Sequence, residues 1–335
     1  MMGRWLKLLC TVGIRIGLAF GVTQMSGSAE KLSRPIPPHR LVVIKRAIPL
    51  AIVPQLIAPD SQLTLTGAWQ LTSSDPKFGG LSSMMLAQGE FLFLSDAGAL
   101  IRLRGPLDAV STPATMVPLP GKCGSSWSAQ DHDSESLALT PDGKGLRIGL
   151  ETINAVCAVD LTHPGLGSVH RVAAMQGWRA NYGPEAMASI AGKGLAIFGE
   201  GSVDKQGASP MLWYQGDPAD PATPMIRMQY QPPQWHRPTD ALFLPDGRML
   251  VINRKFDLPF KFSALLTLVP AFAPREGQTV TGKVIARMDD PAIADNFEAI
   301  AASSDPAGTT IWIASDDNYF RLQRNLLLRF RLAKP

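Results

Sequence analysis

ESLALTPDGKGLRIGLET, residues 135–152, is the clearest of five copies of one sequence pattern in this chain. In each copy an apolar run leads into a turn that contains glycine or Pro-Asp-Gly, and a second apolar run follows. Proline presets the backbone of such a turn and glycine supplies its positive φ, so each copy predicts a β-hairpin. The other copies are GGLSSMMLAQGEFLFLSD (79–96), EAMASIAGKGLAIFGE (185–200), DALFLPDGRMLVINR (240–254) and EAIAASSDPAGTTIWIASDD (298–317).

The spacing of the copies predicts the architecture. They recur at about 55 residues, which leaves room for four short strands with their turns, the size of one propeller blade. No segment keeps an apolar helical period over several turns. The sequence therefore predicts an all-β protein, a β-propeller of five or six blades. Residues 61–71 and 325–332 can share a closing blade, so the number of blades stays open. The alternative fold is a large sandwich or jelly roll, which needs no regular period.

The first residues have the composition of an export signal. Arg4 and Lys7 precede a mostly apolar run at 8–22, and small residues follow at 26–29. An uncleaved N-terminal anchor is the competing interpretation. If the signal is cleaved, no stable membrane span is expected to remain. The protein is then expected to be periplasmic or secreted. We predict three segments: a signal peptide over 1–29, a proline-rich linker or packed arm over 30–60, and a β-propeller domain over 61–335.

The composition is that of a globular protein without a nucleic-acid surface. The 335 residues are 45% hydrophobic, and 32 basic against 28 acidic residues leave a net charge of +4. Because no sustained basic run is present, nucleic acid is not an expected partner, and nothing indicates the oligomeric state. In an exported protein Cys123 and Cys157 can pair, but their spacing does not decide between a disulfide and two buried thiols.

Acidic residues flank the predicted hairpins. The start of the first strand and the end of the second lie at the same edge of a hairpin, so these residues should line one mouth of the propeller. So many carboxylates repel one another unless a cation neutralises them, and hard oxygen ligands suit Ca²⁺ or another divalent cation such as Mg²⁺. The predicted metal ligands are Glu135, Glu151, Glu185, Glu200, Asp240, Glu298, Asp316 and Asp317.

Basic and amide side chains accompany these acids. Guanidinium groups match phosphate oxygens, so a small anionic ester held by metal and arginine together is the expected substrate. The alternative is that the charges pair with one another across blade junctions and keep the repeats in register. The predicted substrate-binding residues are Arg179, Asn181, Arg237, His132 and Lys255, and the predicted catalytic residues are Glu135, Glu185, Asp240, Glu298 and Arg254.

Several ordered motifs resemble one known family. They are NYGPEAM (181–187), RPTDA (237–241) with LPDG (244–247), and NFEAI (296–300) with IASDDN (313–318). Together they are similar to the phytase-like β-propeller family, described by the esterase-like activity of phytase, over about residues 66–332. The resemblance implies an exported β-propeller with Ca²⁺-assisted phosphomonoester hydrolysis, in which basic residues grip phosphate; a shared fold alone does not fix the substrate.

Three functions follow as hypotheses. The preferred one is an exported hydrolase of a phosphate ester or related ester, with the acidic residues as metal ligands or general base and Arg254 and Arg237 stabilising the anion. The second is a non-catalytic propeller of the cell envelope that binds an ion or ligand. The third is a lactonase-like enzyme with one central calcium.

Overall fold

The computed structural model describes residues 36–52, 57, 63–87, 89–104, 109–123, 133–179, 182–201, 207–258 and 261–333. The predicted signal peptide and the predicted ligands His132 and Asn181 lie outside these residues. Within the described residues no helix has the length and apolar character needed to cross a membrane.

The described chain is built from strands, which confirms the all-β prediction. In chain order they are β1 (His39–Ala47), β2 (Leu63–Thr72), β3 (Leu81–Ala87), β4 (Glu90–Ser95), β5 (Ala99–Leu103), β6 (Ser111–Pro118), β7 (Ser134–Leu139), β8 (Gly145–Leu150), β9 (Ala155–Asp160), β10 (Gly167–Arg171), β11 (Pro184–Ile190), β12 (Gly194–Gly199), β13 (Ser209–Tyr214), β14 (Met225–Gln231), β15 (Arg237–Phe243), β16 (Met249–Asp257), β17 (Lys261–Val269), β18 (Thr279–Thr281), β19 (Lys283–Met288), β20 (Asn296–Asp305), β21 (Gly308–Asp316) and β22 (Asn325–Ala333).

The strands form antiparallel four-stranded units arranged as a propeller. The units are β3-β4-β5-β6, β7-β8-β9-β10, β11-β12-β13-β14, β15-β16-β17-β19 and β20-β21-β22-β2, and β18 adds in parallel to β14. Their first strands, β3, β7, β11, β15 and β20, each pack against the next, and β20 packs against β3. The first strands therefore line the centre of a closed ring, and each one is the first half of a repeated hairpin.

An apolar layer lies at each junction between neighbouring units. Val156 of β9 and Ile197 of β12 belong to one of these layers. At the junction between the first and last units, Phe91 meets Trp312 edge to face with ring centroids 5.2 Å apart. β-Branched, leucine and aromatic side chains of the alternating strand pattern supply this buried surface, so the hydrophobic effect holds the units together around the ring.

The N-terminal strands complete the ring. β2 pairs antiparallel with β22, so the unit that begins with β20 takes its outer strand from the start of the domain. β1, which falls in the segment predicted as a linker or arm, pairs with both β2 and β6 and joins two units into one nine-stranded sheet. Cys123 and Cys157 form a disulfide with a Cα–Cα distance of 5.7 Å, which answers the question that their spacing left open.

Every first hairpin carries a β-bulge at the same place. The register skips one residue near the start of each first strand, and the skipped residues are Ser82, Glu135, Glu185, Thr239 and Glu298. A bulge leaves its extra residue out of the ladder and re-aims the side chain. Thr239, and not Asp240, is therefore the structural equivalent of the three glutamates, so the sequence alignment of the fourth copy is wrong by one residue.

Candidate functional site

Three sets of equivalent residues meet at one mouth of the ring. The bulges contribute Glu135, Glu185 and Glu298, as described above. The second strands β8 and β12 lead into Glu151 and Glu200, β21 ends at Asp316, and β16 carries Arg254 opposite the start of β15. The residues facing these strand ends are Asp133, Arg237 and Asn296, since Arg237 pairs with Arg254, Asn296 pairs with Asp316, and the Glu151 amide donates to the Asp133 carbonyl at 2.8 Å. The hairpin geometry thus gathers the predicted charges at one edge.

Five carboxylates of the second and third units form a group that we call the acidic cluster: Asp133, Glu135, Glu151, Glu185 and Glu200. Asp133, Glu135 and Glu151 each offer an oxygen within 4.8 Å of the others, and so do Glu151, Glu185 and Glu200. Glu151 belongs to both groups of three and is 9% exposed, while Glu185 is 6% exposed. Asp133, Glu135 and Glu200 are half-buried, so the cluster is partly removed from water although it carries five acids.

Proton affinities in the acidic cluster are raised. Burial raises the pKa of Glu151 to about 8, and the negative charges of Asp133 and Glu200 act in the same direction. Burial and the neighbouring carboxylates also hold the pKa values of Glu135 and Glu185 well above their usual range. The interaction between Glu151 and Glu185 lowers the pKa of Glu151 and raises that of Glu185. Without a cation, this cluster binds protons near neutral pH.

The donor set of the acidic cluster fits a hard divalent cation. All the converging atoms are carboxylate oxygens, which Ca²⁺ and Mg²⁺ prefer, and a bound cation would remove the repulsion that raises the pKa values. The two groups of three that share Glu151 are each close enough to hold an ion.

Arg254 holds the opposite side of the mouth. One of its nitrogens donates to Glu298 and, at 2.7 Å, to Asn296 Oδ1, and the other donates to Glu200 Oε1 at 3.2 Å. Burial disfavours the charged guanidinium, yet Glu298 and Glu200 raise the pKa of Arg254 above its usual range. Burial raises the pKa of Glu298, and the charge of Arg254 opposes this rise. Asp316 also has a pKa well above the usual range, because it is buried beside Glu298.

A cleft of about 920 Å³ opens from this side of the mouth. Arg237 lies at its edge, where it pairs with Glu200 Oε2 at 3.2 Å and lies over the Tyr182 ring at 5.0 Å. Lys255 lines the same cleft and pairs with Asp257 at 2.7 Å. The structure thus brings together Arg237, Arg254 and Lys255 of the predicted anion-binding set, whereas Arg179 is exposed on the loop before β11.

Asp240 lies apart from the acidic cluster. Its carboxylate accepts hydrogen bonds from Ser83 Oγ at 3.1 Å and from the amides of Ile300 and Ala241 at 2.9 Å each. Ser83 belongs to β3 and Ile300 to β20, so Asp240 joins three first strands across the centre of the ring. Burial raises the pKa of Asp240 well above its usual range, although the three hydrogen bonds act to lower it.

Asp317 likewise ties strand ends together. Its oxygens accept the amides of Gly80 and Tyr319, each at 3.1 Å, and Asn325 Nδ2 at 2.9 Å. Gly80 has a φ of 64°, and a Cβ there would lie 2.2 Å from the Asp96 carboxylate. Gly80 therefore has no room for a side chain, and the residue of the first copy that is equivalent to the bulge glutamates is Ser82.

Asp133 is a site residue that the sequence reasoning did not assign. It belongs to the acidic cluster through Glu135 and Glu151, and its side chain accepts a hydrogen bond from Thr152 at 3.2 Å. A signal for it exists in the sequence, because Asp133 lies in the dense polar run at 131–135 that precedes the second hairpin.

Solved structures with a similar fold have little sequence in common with this chain. The Mala s 1 allergen of Malassezia sympodialis is 11% identical, with 82% of this chain and 92% of that chain covered and a TM-score of 0.44. The α-L-arabinofuranosidase PaAbf62A of Podospora anserina is also 11% identical, with 80% and 96% covered and a TM-score of 0.44. A luciferin-regenerating enzyme is 9% identical, with 87% and 95% covered and a TM-score of 0.41.

No curated protein sequence matches the chain. A family model does match, and it covers every first hairpin of the ring and the whole mouth described above. It is the model of the phytase-like family, described as esterase-like activity of phytase, and because it matches residues 76–319 the chain belongs to that family.

Proposed function

We propose that the protein is an exported β-propeller hydrolase that uses a divalent cation, Ca²⁺ in the first instance, to cleave a phosphate ester or related ester at the mouth of the ring. The observation that carries this proposal is the acidic cluster, in which carboxylate oxygens of buried and half-buried residues converge in two groups of three, within 4.8 Å of one another in each group. Buried like charges of this kind are costly unless a cation is bound, and such arrangements concentrate at functional sites.

The acidic cluster is where a cation would be held. Asp133, Glu135, Glu151, Glu185 and Glu200 are the proposed ligands. A cation bound there would supply Lewis acidity toward an ester oxygen and lower the pKa of water. Asp240 and Asp317, which are occupied by hydrogen-bond donors of the fold, are proposed to support the strands and not to bind the ion.

The chain's own side chains supply the positive charge that would bind the ester anion. Arg254 and Arg237 present guanidinium groups at the edge of the cluster, and we assign them to binding and orienting the ester anion. In the metal-free protein Glu151, with a pKa of about 8, holds a proton near neutral pH. A bound cation would displace that proton, so we assign Glu151 to holding the ion and not to acid-base catalysis. Glu298, paired with Arg254, is proposed to keep that guanidinium directed toward the mouth.

Two finer statements belong to the same proposal. We propose five blades, because the contacts between the first strands close on themselves after β20. We propose a periplasmic or secreted location, and the Cys123–Cys157 disulfide supports it, since disulfides persist in oxidising compartments.

The test is a substrate screen of the full chain against p-nitrophenyl phosphate, phytate, p-nitrophenyl acetate and a lactone, each with Ca²⁺ and with EDTA. We expect Ca²⁺-dependent turnover of a phosphate ester that Glu185→Gln abolishes. Glu276→Gln is the matched control, because Glu276 is exposed and far along the chain from the cluster. Turnover that persists in EDTA and in Glu185→Gln would refute the proposal, and turnover of the lactone alone would indicate lactonase chemistry.

A binding propeller without catalysis is the second candidate. The observation in its favour is that Arg254 already has protein partners in Glu298, Asn296 and Glu200, so an incoming anion must compete with them. In that case Ca²⁺ raises the melting temperature, Glu185→Gln removes this increase, and no ester in the screen is hydrolysed.

A further inference from the structure

The mouth cleft has an apolar wall that the metal site and the anion site do not use. Of the large hydrophobic side chains in the described part of the chain, Trp235 and Leu322 are the most exposed, at 76% each, and both line this cleft. Phe256, which is 37% exposed, lines it as well. Exposed apolar side chains that gather in one cleft indicate a binding surface, whereas single ones scattered over a surface do not.

The wall is held in place by the fold. Phe256 of β16 and Phe262 of β17 are direct cross-strand partners, with ring centroids 4.9 Å apart. Trp235 precedes β15 and has a φ of 66°, a backbone conformation that a bulky residue rarely adopts. Strained backbone of this kind persists where the surrounding structure fixes it, and it is common at ligand sites. Trp235 is thus presented to solvent by a fixed turn.

The charged side chains that line the cleft have the opposite character. Its lining cations are Arg237, Arg254, Lys255, Lys261 and Arg324, and its lining acids are Glu200, Asp289 and Asp295. The cleft therefore carries an excess of positive charge directly beside the acidic cluster. Glu200 belongs both to the cleft lining and to the acidic cluster. Its volume of about 920 Å³ is that of a site for a molecule much larger than a single phosphate ion.

We propose that this cleft binds the organic part of an amphiphilic phosphomonoester, with the phosphate against Arg237 and Arg254 and an aryl or alkyl group against Trp235, Phe256 and Leu322. This inference rests on the proposed function for the orientation of the ester and names its substrate class. A polyphosphorylated polyol such as phytate has no apolar group to place on the wall, so it is the poorer match.

Binding of non-hydrolysable phosphonates tests the proposal without requiring turnover. Isothermal titration of the full chain, in Ca²⁺ and in EDTA, compares methylphosphonate, phenylphosphonate and octylphosphonate. Because each buried CH₂ group strengthens binding, we expect octylphosphonate to bind at least about tenfold more tightly than methylphosphonate. Equal affinities for the three phosphonates would overturn the proposal.

Variants of the wall locate the effect. Trp235→Asn removes the indole and keeps a residue that tolerates positive φ, and Leu322→Ser removes the other exposed side chain. Each should weaken octylphosphonate binding about fivefold and leave methylphosphonate binding unchanged. Leu166→Ser, at a position 71% exposed outside the mouth cleft, is the control that should change neither affinity. An alkyl preference that survives in Trp235→Asn/Leu322→Ser would overturn the assignment.

A further experiment distinguishes a membrane lipid from a soluble ester as the amphiphile. Co-sedimentation with phosphatidylcholine vesicles containing phosphatidic acid, compared with free octylphosphonate, separates a membrane surface from a soluble ester. Vesicle binding that Trp235→Asn abolishes, without binding of free octylphosphonate, would overturn the soluble-ester class. If the phosphonates bind as expected while no ester is hydrolysed, the cleft assignment holds and the hydrolase proposal fails.

Discussion

Glu151→Gln should change the stability of the protein in opposite directions with and without Ca²⁺. In the metal-free protein the Glu151 carboxyl has a pKa of about 8, against 4.5 for an ordinary glutamate. As pH rises from 4.5 to 8, the unfolded chain loses this proton while the folded chain keeps it, so the free energy of unfolding falls. At about 1.36 kcal/mol per pH unit, the full loss is about 5 kcal/mol at pH 8 and above, and below pH 4.5 it is absent.

Glutamine cannot ionise, so Glu151→Gln removes this loss. In EDTA the variant should be more stable than the wild type at pH 8, by up to about 5 kcal/mol, and nearly equal to it at pH 4.5. With saturating Ca²⁺ the order reverses, because the wild type gains binding free energy through a ligand that the variant lacks. The substitution has opposite effects with and without Ca²⁺ because Glu151 belongs to both groups of three carboxylates.

Urea unfolding followed by circular dichroism, at pH 4.5 and pH 8 and with EDTA or Ca²⁺, measures all four conditions. Glu276→Gln is the control, since its side chain is exposed and should show the wild-type pH dependence. The reasoning is refuted if the metal-free wild type is as stable at pH 8 as at pH 4.5, or if Glu151→Gln lowers stability in EDTA at pH 8.

Three further predictions concern other parts of the site and the ring. Arg254→Gln leaves the buried carboxylates of the mouth without their guanidinium and should lower the free energy of unfolding by about 3–5 kcal/mol, with the loss of turnover measured alongside. Asp240→Asn should cost about 1–3 kcal/mol in urea unfolding, because an amide cannot accept all three donors, while the Ca²⁺-induced rise in melting temperature stays at the wild-type value. Replacing Cys123 and Cys157 by serine should lower stability by about 4 kcal/mol, as judged by unfolding with and without reductant, since the bridge closes a separation of 34 residues.

The repeated hairpins were accessible from the sequence because their signals are local. Pro141 and Pro245 mark turns between strands, and the glycines that follow at 143 and 247 have φ values of 69° and 86°, as the turn chemistry requires. The acids at the strand ends were accessible for the same reason, since a hairpin fixes which residues share an edge. Strand β1 could not be predicted from the sequence, because it pairs with β2 and β6, which follow it at a distance along the chain.

The misplacement of Asp240 shows what the sequence pattern lacked. Aligning the acids put Asp240 beside the glutamates, yet counting six residues back from the turn proline leads to Glu135 in the second copy and to Thr239 in the fourth. A one-residue change of register turns a side chain to the other face, so Asp240 points into the packed centre of the ring. Whether a bulge exists cannot be read from alternating apolar residues, because it is a property of strand pairing.

The charges at the mouth divide into two parts that share one residue. In the described structure the glutamates at 135, 151 and 185 have acidic neighbours, whereas Arg254 and Arg237 hold the other side. Glu200 belongs to both parts: it completes a group of three carboxylates with Glu151 and Glu185, and its two oxygens accept Arg254 and Arg237. In the proposed function a cation that draws on Glu200 weakens its pairing with the two guanidinium groups, which then have donors to offer an anionic ester. In the proposed function the cation and the ester would therefore favour each other's binding, because Glu200 connects the acidic cluster with both guanidinium groups.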